Sequence, residues 1–194
     1  MKPTRFETAI ALIDKANSED INSYEVAGLN YPKELLYSLR MTRKLLRFEP
    51  NASKALQIAA RAQHICRWKI ARNAYPMDRV GYLKWRETLK KMHGDLTADI
   101  LEQVGFDDQF TDRVKAIILK KLIKKNEESQ TIEDIICLVF LDYYFEEFAA
   151  KHNDEKVIDI LKKTWIKMSD KGHEAALKIP FSEKSLILVK QAIS

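Results

Sequence analysis

Glycine and proline are scarce in this chain, with five of each over 194 residues. A many-stranded sheet needs a turn roughly every ten residues, and turns are where those two residue types concentrate. The scarcity therefore points to helices, and the punctuation that is present is helical. Thr4-Arg5-Phe6-Glu7 has the capping-box form, in which hydroxyl and carboxylate satisfy orphan amides reciprocally. Pro32 suits a first helical turn, where its missing N–H costs nothing. Asn51 or Ser53, Asp78 and Ser182 stand as caps before further periodic runs.

Hydrophobic spacing supplies the elements between these signals. Phe6, Ile10 and Ile13 recur at helical intervals, and residues 18–30 read as a connection with Gly28 and Asn30 as turn formers. A second helix runs from Pro32 to about Phe48, with Leu35, Leu36, Leu39, Leu45 and Leu46 as its apolar stripe. A third runs from Ser53 to about Arg72. The next begins near Arg79, carries Leu89 and His93, and bends or breaks at Gly94. Val114, Ile117, Ile118 and Leu122 form the core face of another, flanked by Lys115, Lys120, Lys121, Lys124 and Lys125. Thr131-Ile132-Glu133-Asp134 reads as a helix start, followed by Ile135 to Phe148, apolar on nearly every side and hence expected at the centre of a bundle. Val157, Leu161, Trp165 and Met168 mark a further helix interrupted by Gly172, with a short helix at 174–177 and a last one through Val189. No repeat and no strand pair stands out. The expectation is an all-α single domain over residues 1–194, a bundle of about eight to ten helices.

The charge balance is basic: 33 Lys and Arg against 28 Asp and Glu give +5. It fits a soluble basic protein first, and also allows a preference for an anionic partner such as a nucleotide, a phosphorylated metabolite or RNA. Cys66 and Cys137 lie in apolar runs and read as two buried thiols of a reducing compartment. The start of the chain lacks the pattern of a secretory leader, and the longest apolar run, Ile135 to Phe145, is interrupted by Asp142. A cytoplasmic protein with no membrane association is expected, its oligomeric state open.

The unusual stretch is Arg61-Ala62-Gln63-His64-Ile65-Cys66-Arg67-Trp68, which sets two arginines, a histidine and a tryptophan in an apolar run. On one continuous helix, Gln57, Arg61, His64 and Trp68 would share a face. Three kinds of chemistry are open to it. Arg61, Arg67, Arg79 and Arg86, with Lys120, could hold phosphate through guanidinium forks, and Trp68, Tyr75, Tyr82 and Trp85 could stack on a base. Histidines and a carboxylate converging from several helices could hold a divalent metal (Mn, Mg, Fe or Zn), with His64, His93 and Asp134 as ligands. Glu133 and Asp134 could act as acid and base, or could simply neutralise Arg61, Arg67 or Arg86. Sequence signals for a glycine-rich phosphate loop, a CxxC pair or a nucleophile elbow are missing.

His64-Ile65-Cys66-Arg67 and Lys167-Met168-Ser169-Asp170-Lys171 look like the two ATP signatures of class I aminoacyl-tRNA synthetases. Cys66, however, stands where the first signature needs glycine, and the βαβ spacing that carries both is missing. His64 as a first histidine, with His93 and a later Asp134, resembles the pattern of the HD-domain phosphohydrolases, but His93-Gly94-Asp95 is not their adjacent His-Asp pair. The longer motifs resemble another family. Arg61 to Trp68, Tyr75-Pro76-Met77-Asp78-Arg79-Val80-Gly81-Tyr82-Leu83-Lys84-Trp85-Arg86, His93, and Gln130 to Leu141 are similar to a bacterial and fungal family catalogued as a domain of unknown function. Some of its members carry the label glutamyl-tRNA synthetase. The resemblance implies a single all-helical domain, supplies no activity, and marks His64, Arg67, Arg79, Arg86, His93, Glu133 and Asp134 as its polar positions. Two functional expectations follow. One is a helical domain that binds a phosphorylated small molecule such as a nucleotide, with metal-dependent, HD-like phosphohydrolysis as its enzymatic form. The other is a non-enzymatic module that binds RNA or a protein through the basic faces of residues 40–47 and 113–125.

Overall fold

The computed structural model describes residues 2–121 and 126–193. The fold is all-α, with ten α-helices and one two-stranded hairpin among the described residues. Contacts group the chain into two compact units, Met1–Leu122 and Ile123–Ser194.

In the first unit, α1 (Arg5–Ser18) starts on the expected box, with Thr4 N–H donating to Glu7 Oε2 at 2.8 Å and Glu7 N–H to Thr4 Oγ1 at 3.3 Å. Two strands follow in the stretch expected to be only a connection: β1 (Ser23–Val26) pairs antiparallel with β2 (Leu29–Pro32). Ala27 and Gly28 between them have φ of 51° and 78°, as a two-residue hairpin turn with the right twist requires. Then come α2 (Lys33–Phe48), α3 (Lys54–Ala62), α4 (Arg79–Val104) and α5 (Asp108–Ile118). Ser53, Asp78 and Asp107 cap the last three through their side-chain oxygens. Gly94 leaves α4 unbroken, contrary to the sequence expectation, because it is buried at the crossing where a Cβ would lie 3.3 Å from the Lys115 side chain of α5. The core is built from Ile13, Met41, Leu45, Ile58, Leu101, Ile117 and Ile118, all essentially solvent-free. Leu122, Lys124 and Lys125 lie outside the described residues.

The phase of α2 differs from the leucine stripe read in the sequence. Leu39 and Leu46 face solvent, and the inward face carries Glu34, Tyr37, Ser38, Arg40, Met41 and Leu45. Since Pro32 has no capping side chain, the amide of Glu34 is instead taken by the buried Asp20, whose Oδ2 accepts at 3.0 Å. Asp20 Oδ1 also accepts from the Asn22 backbone and side chain, so the hairpin and the start of α2 are fixed together.

The second unit contains α6 (Glu127–Tyr143), α7 (Phe145–Ala150), α8 (Asp154–Trp165), α9 (Asp170–Ala176) and α10 (Glu183–Ile193). Asn126 caps α6, so the helix begins a full turn before Thr131, and Glu133 and Asp134 lie in its interior rather than at its start. The apolar run is split at Tyr144 between α6 and α7. Ile132, Ile135, Leu138 and Phe145 form the buried centre of the unit, joined by Val157 and Leu161 of α8 and Leu188 of α10. No helix among the described residues is long and apolar enough to cross a membrane.

Candidate functional site

The expected helix from Ser53 to Arg72 ends at Ala62. The cause lies far away in sequence: the amide of Cys66 donates to Oδ1 of the buried Asn17 on α1 at 3.0 Å. Cys66 adopts φ 54°, and the chain tightens through Ile65 N–H to Ala62 O and Arg67 N–H to His64 O into a 3-10 turn over Arg67–Lys69. The shared face of Gln57, Arg61, His64 and Trp68 therefore does not form. The turn instead presents His64 and Arg67 toward α2 and α4.

Those two side chains join a cluster with Glu34 and Tyr37 of α2 and Trp85 and His93 of α4. His64 Nδ1 is 3.3 Å from Glu34 Oε2, and Arg67 Nη1 is 3.0 Å from His64 Nε2. Arg67 Nε lies 4.0 Å from Glu34 Oε1. The His64 ring stacks on Tyr37 at 4.0 Å between centroids, and the Arg67 guanidinium sits 4.7 Å from the Trp85 ring centroid. The His93 ring is 5.9 Å from that of His64.

The hydrogen bonds fix the protons. Arginine can only donate, so His64 Nε2 accepts from Arg67 and the ring proton sits on Nδ1, 3.3 Å from Glu34 Oε2. Burial holds His64 neutral, well below its ordinary value, and Arg67, Lys120, Arg86 and Lys33 push in the same direction. His93 Nδ1 lies 2.7 Å from the carbonyl of Ile65, which can only accept, so His93 also carries its proton on Nδ1. Its protonation is pushed down to about 3, by burial first and then by His64. That leaves His93 Nε2 a bare acceptor, solvent-free and without a hydrogen-bond partner. An atom in that state costs about 1–3 kcal/mol. Burial pushes the Glu34 carboxyl up to about 7, with Arg67 and Lys33 opposing.

Of the residues singled out in the sequence, His64, Arg67 and His93 meet in this cluster, with Arg86 and Lys120 within electrostatic reach of His64. Arg86 is exposed, its guanidinium 5.7 Å from the Tyr82 ring centroid, and Lys120 follows α5 in a left-handed conformation with φ 52°. Arg61 is elsewhere: its guanidinium forks onto Asp14 of α1 at 2.6 and 2.7 Å and reaches Thr42 Oγ1 at 3.2 Å. Its carboxylate partner in the first unit is thus Asp14. Trp68 is half-buried beyond the turn and Arg79 is the exposed first residue of α4. Glu133 and Asp134 belong to the second unit. There Asp134 accepts from Ser169 N–H at 2.8 Å, Ser169 Oγ at 2.6 Å and Gln130 Nε2 at 3.2 Å, which anchors the start of α9.

Two of the residues expected as ligands of a metal ion, His64 and Asp134, have hydrogen-bond partners in the structure. The lone pair of His64 Nε2 already receives a cationic donor, and the oxygens of Asp134 are engaged by Ser169 and Gln130. Among the described residues no group of three or more His, Cys, Asp or Glu could hold one. The basic faces proposed for a macromolecular partner are also partly committed. Arg40 is buried with its guanidinium 5.2 Å from the Tyr24 ring centroid, and Lys115 pairs with Asp95 at 2.7 Å.

Sequence reasoning missed Glu34, Tyr37 and Lys33. A signal was available for Glu34: it precedes the buried Met41 and Leu45 by seven and eleven residues, the same-face interval of a helix. Fold and site together define an all-α protein with a partly buried His–Glu–Arg cluster that further lysine and arginine side chains act on. Residues 7–189 match the family described as a domain of unknown function (DUF4202), and the chain belongs to that family. No curated protein and no solved structure matches the chain.

Proposed function

We propose that the first unit binds a phosphorylated small molecule, a nucleotide being the class that fits its mixture of cations and aromatic rings. The observation that carries this is the charge imbalance around His64. Arg67, Lys120, Arg86 and Lys33 all act on it, against the Glu34 carboxyl beside it and the Asp20 carboxyl behind Glu34. Cations held at the rim of a partly buried cluster are the arrangement a phosphate neutralises. Tyr82, exposed and already faced by Arg86, offers a ring for a base to stack on. Glu34 titrates near neutrality and is in place to take or give a proton at a bound ligand. The hydrolytic, metal-dependent form of this reading requires Arg67 to leave His64 first.

The test is thermal stabilisation of the purified protein by phosphate, pyrophosphate, AMP and ATP. Stabilisation is expected for the wild type and is expected to be lost in Arg86→Ala, an exposed position whose truncation leaves the core intact. A wild type stabilised by none of them refutes the reading, as does an Arg86→Ala variant stabilised equally. Elemental analysis and turnover of the same nucleotides with Mn²⁺ test the hydrolytic form. Binding of RNA with a steep salt dependence, weakened by charge reversal at Lys121 but not by Arg86→Ala, would instead support the macromolecular alternative.

A further inference from the structure

Four histidines occur in the chain, and in three of them the ring nitrogens have ready partners. His64 uses both nitrogens, on Glu34 and Arg67. His152 and His173 each bond one backbone carbonyl, of Phe148 and Trp165, and are exposed enough for water to reach the other nitrogen. His93 is different. It is 2 % exposed, its Nδ1 is held by Ile65 O, and its Nε2 is an acceptor with no donor. Of the other buried polar atoms without a partner in the first unit, Asn17 Nδ2 can only donate, the Thr111 hydroxyl can turn, and Gln63 can exchange the two ends of its amide by rotation. His93 has no such freedom, because turning the ring would break the Ile65 bond. Its electrostatic neighbours are His64, Arg67 and Glu34, so the vacant acceptor belongs to the cationic cluster.

Resting on the pocket reading above, we infer that His93 Nε2 accepts a hydrogen bond from a hydroxyl of the bound ligand, so that the site takes a hydroxylated phosphate ester, a sugar phosphate or nucleotide, in preference to phosphate alone. The anionic end of such a ligand suits Arg67, Arg86, Lys120 and Lys33, and its hydroxyl suits the acceptor to which none of these cations donates in the structure. The Arg67 fork is turned to His64 and Glu34, and His64 has no second ring proton to offer. A ligand group carrying its own O–H completes the set. A site built to hydrogen-bond a substrate hydroxyl discriminates strongly against an analogue without one, because the buried partner is left unpaired.

The experiment compares ribose 5-phosphate, glycerol 3-phosphate and AMP with methyl phosphate, which carries the ester and the charge but no hydroxyl. Affinities are measured by calorimetry for the wild type, His93→Asn and His93→Gln. The asparagine amide can keep the bond to Ile65 O while removing the Nε2 acceptor; the glutamine restores an acceptor near that position. At least one hydroxylated ester is expected to bind the wild type about tenfold or more tighter than methyl phosphate. That preference is expected to vanish in His93→Asn, to return in part in His93→Gln, and to leave methyl phosphate affinity unchanged. The ¹⁵N resonance of His93 Nε2 should move on binding a hydroxylated ester and stay in place with methyl phosphate. Equal wild-type affinity for all four compounds overturns the inference and leaves the phosphate pocket standing. An equal loss for all four in a folded His93→Asn, or an immobile Nε2 resonance, does the same. Failure of all four to bind the wild type overturns both readings.

Discussion

Replacing Glu34 by glutamine should stabilise the first unit above neutral pH and leave it unchanged in acid. Glu34 is displaced from its ordinary value of 4.5 to about 7. At about 1.4 kcal/mol per unit, this corresponds to about 3 kcal/mol between folded and unfolded chains. The folded carboxyl binds its proton more tightly than the unfolded one. Its contribution is therefore most favourable below pH 4.5 and is lost as pH rises to about 7, where the fold must bury a charge. Glutamine never carries that charge and still offers an Oε to the proton on His64 Nδ1. The variant should match the wild type at pH 4.5 and exceed it by about 3 kcal/mol at pH 8. His64 and His93, held neutral in the fold, act in the opposite direction, losing stability as pH falls below 6.5. Both are common to the two proteins and largely cancel in the difference. Urea unfolding at pH 5, 6, 7 and 8 measures it, in a Trp165→Phe background so that Trp68 and Trp85 report the first unit alone. A stability difference that is flat across this range would refute the argument, as would a variant less stable than the wild type at pH 8. A gain in stability with loss of ligand binding is the pattern of a residue kept for function.

Arg61→Ala leaves Asp14 without its bidentate partner and opens the joint between α1 and α3, for a loss of about 3 kcal/mol in the same urea assay; Asp14→Asn should lose less. In the second unit, a Cβ on Gly172 would lie 2.6 Å from Asp134 Oδ1, so Gly172→Ala should displace the clamp on Ser169 and cost about 1–3 kcal/mol. Amide exchange over α9 should rise in that variant, with no change over α1 to α5.

Much of the helical framework is local and could be read directly. Thr4, Ser53 and Asp78 cap helices where the letters place them, because a cap is an agreement between residues two or three positions apart. The basic cluster was legible in part: His64, Arg67 and His93 were recognisable as polar residues in apolar runs. The rest of the site depends on distant partners. The turn that aims His64 and Arg67 exists because Asn17, 49 residues earlier, takes the Cys66 amide. Glu34 faces inward because Asp20 holds its amide and His64 its carboxyl, and neither bond leaves a periodic trace. Asp134 illustrates the converse, since it is buried and polar as expected but is used by Ser169 to start a helix. By itself the sequence determined an all-helical chain, most of its helix starts and the family. Only the tertiary structure decided which polar residues share one buried cluster, because burying a charge or an imidazole depends on partners that local spacing does not specify.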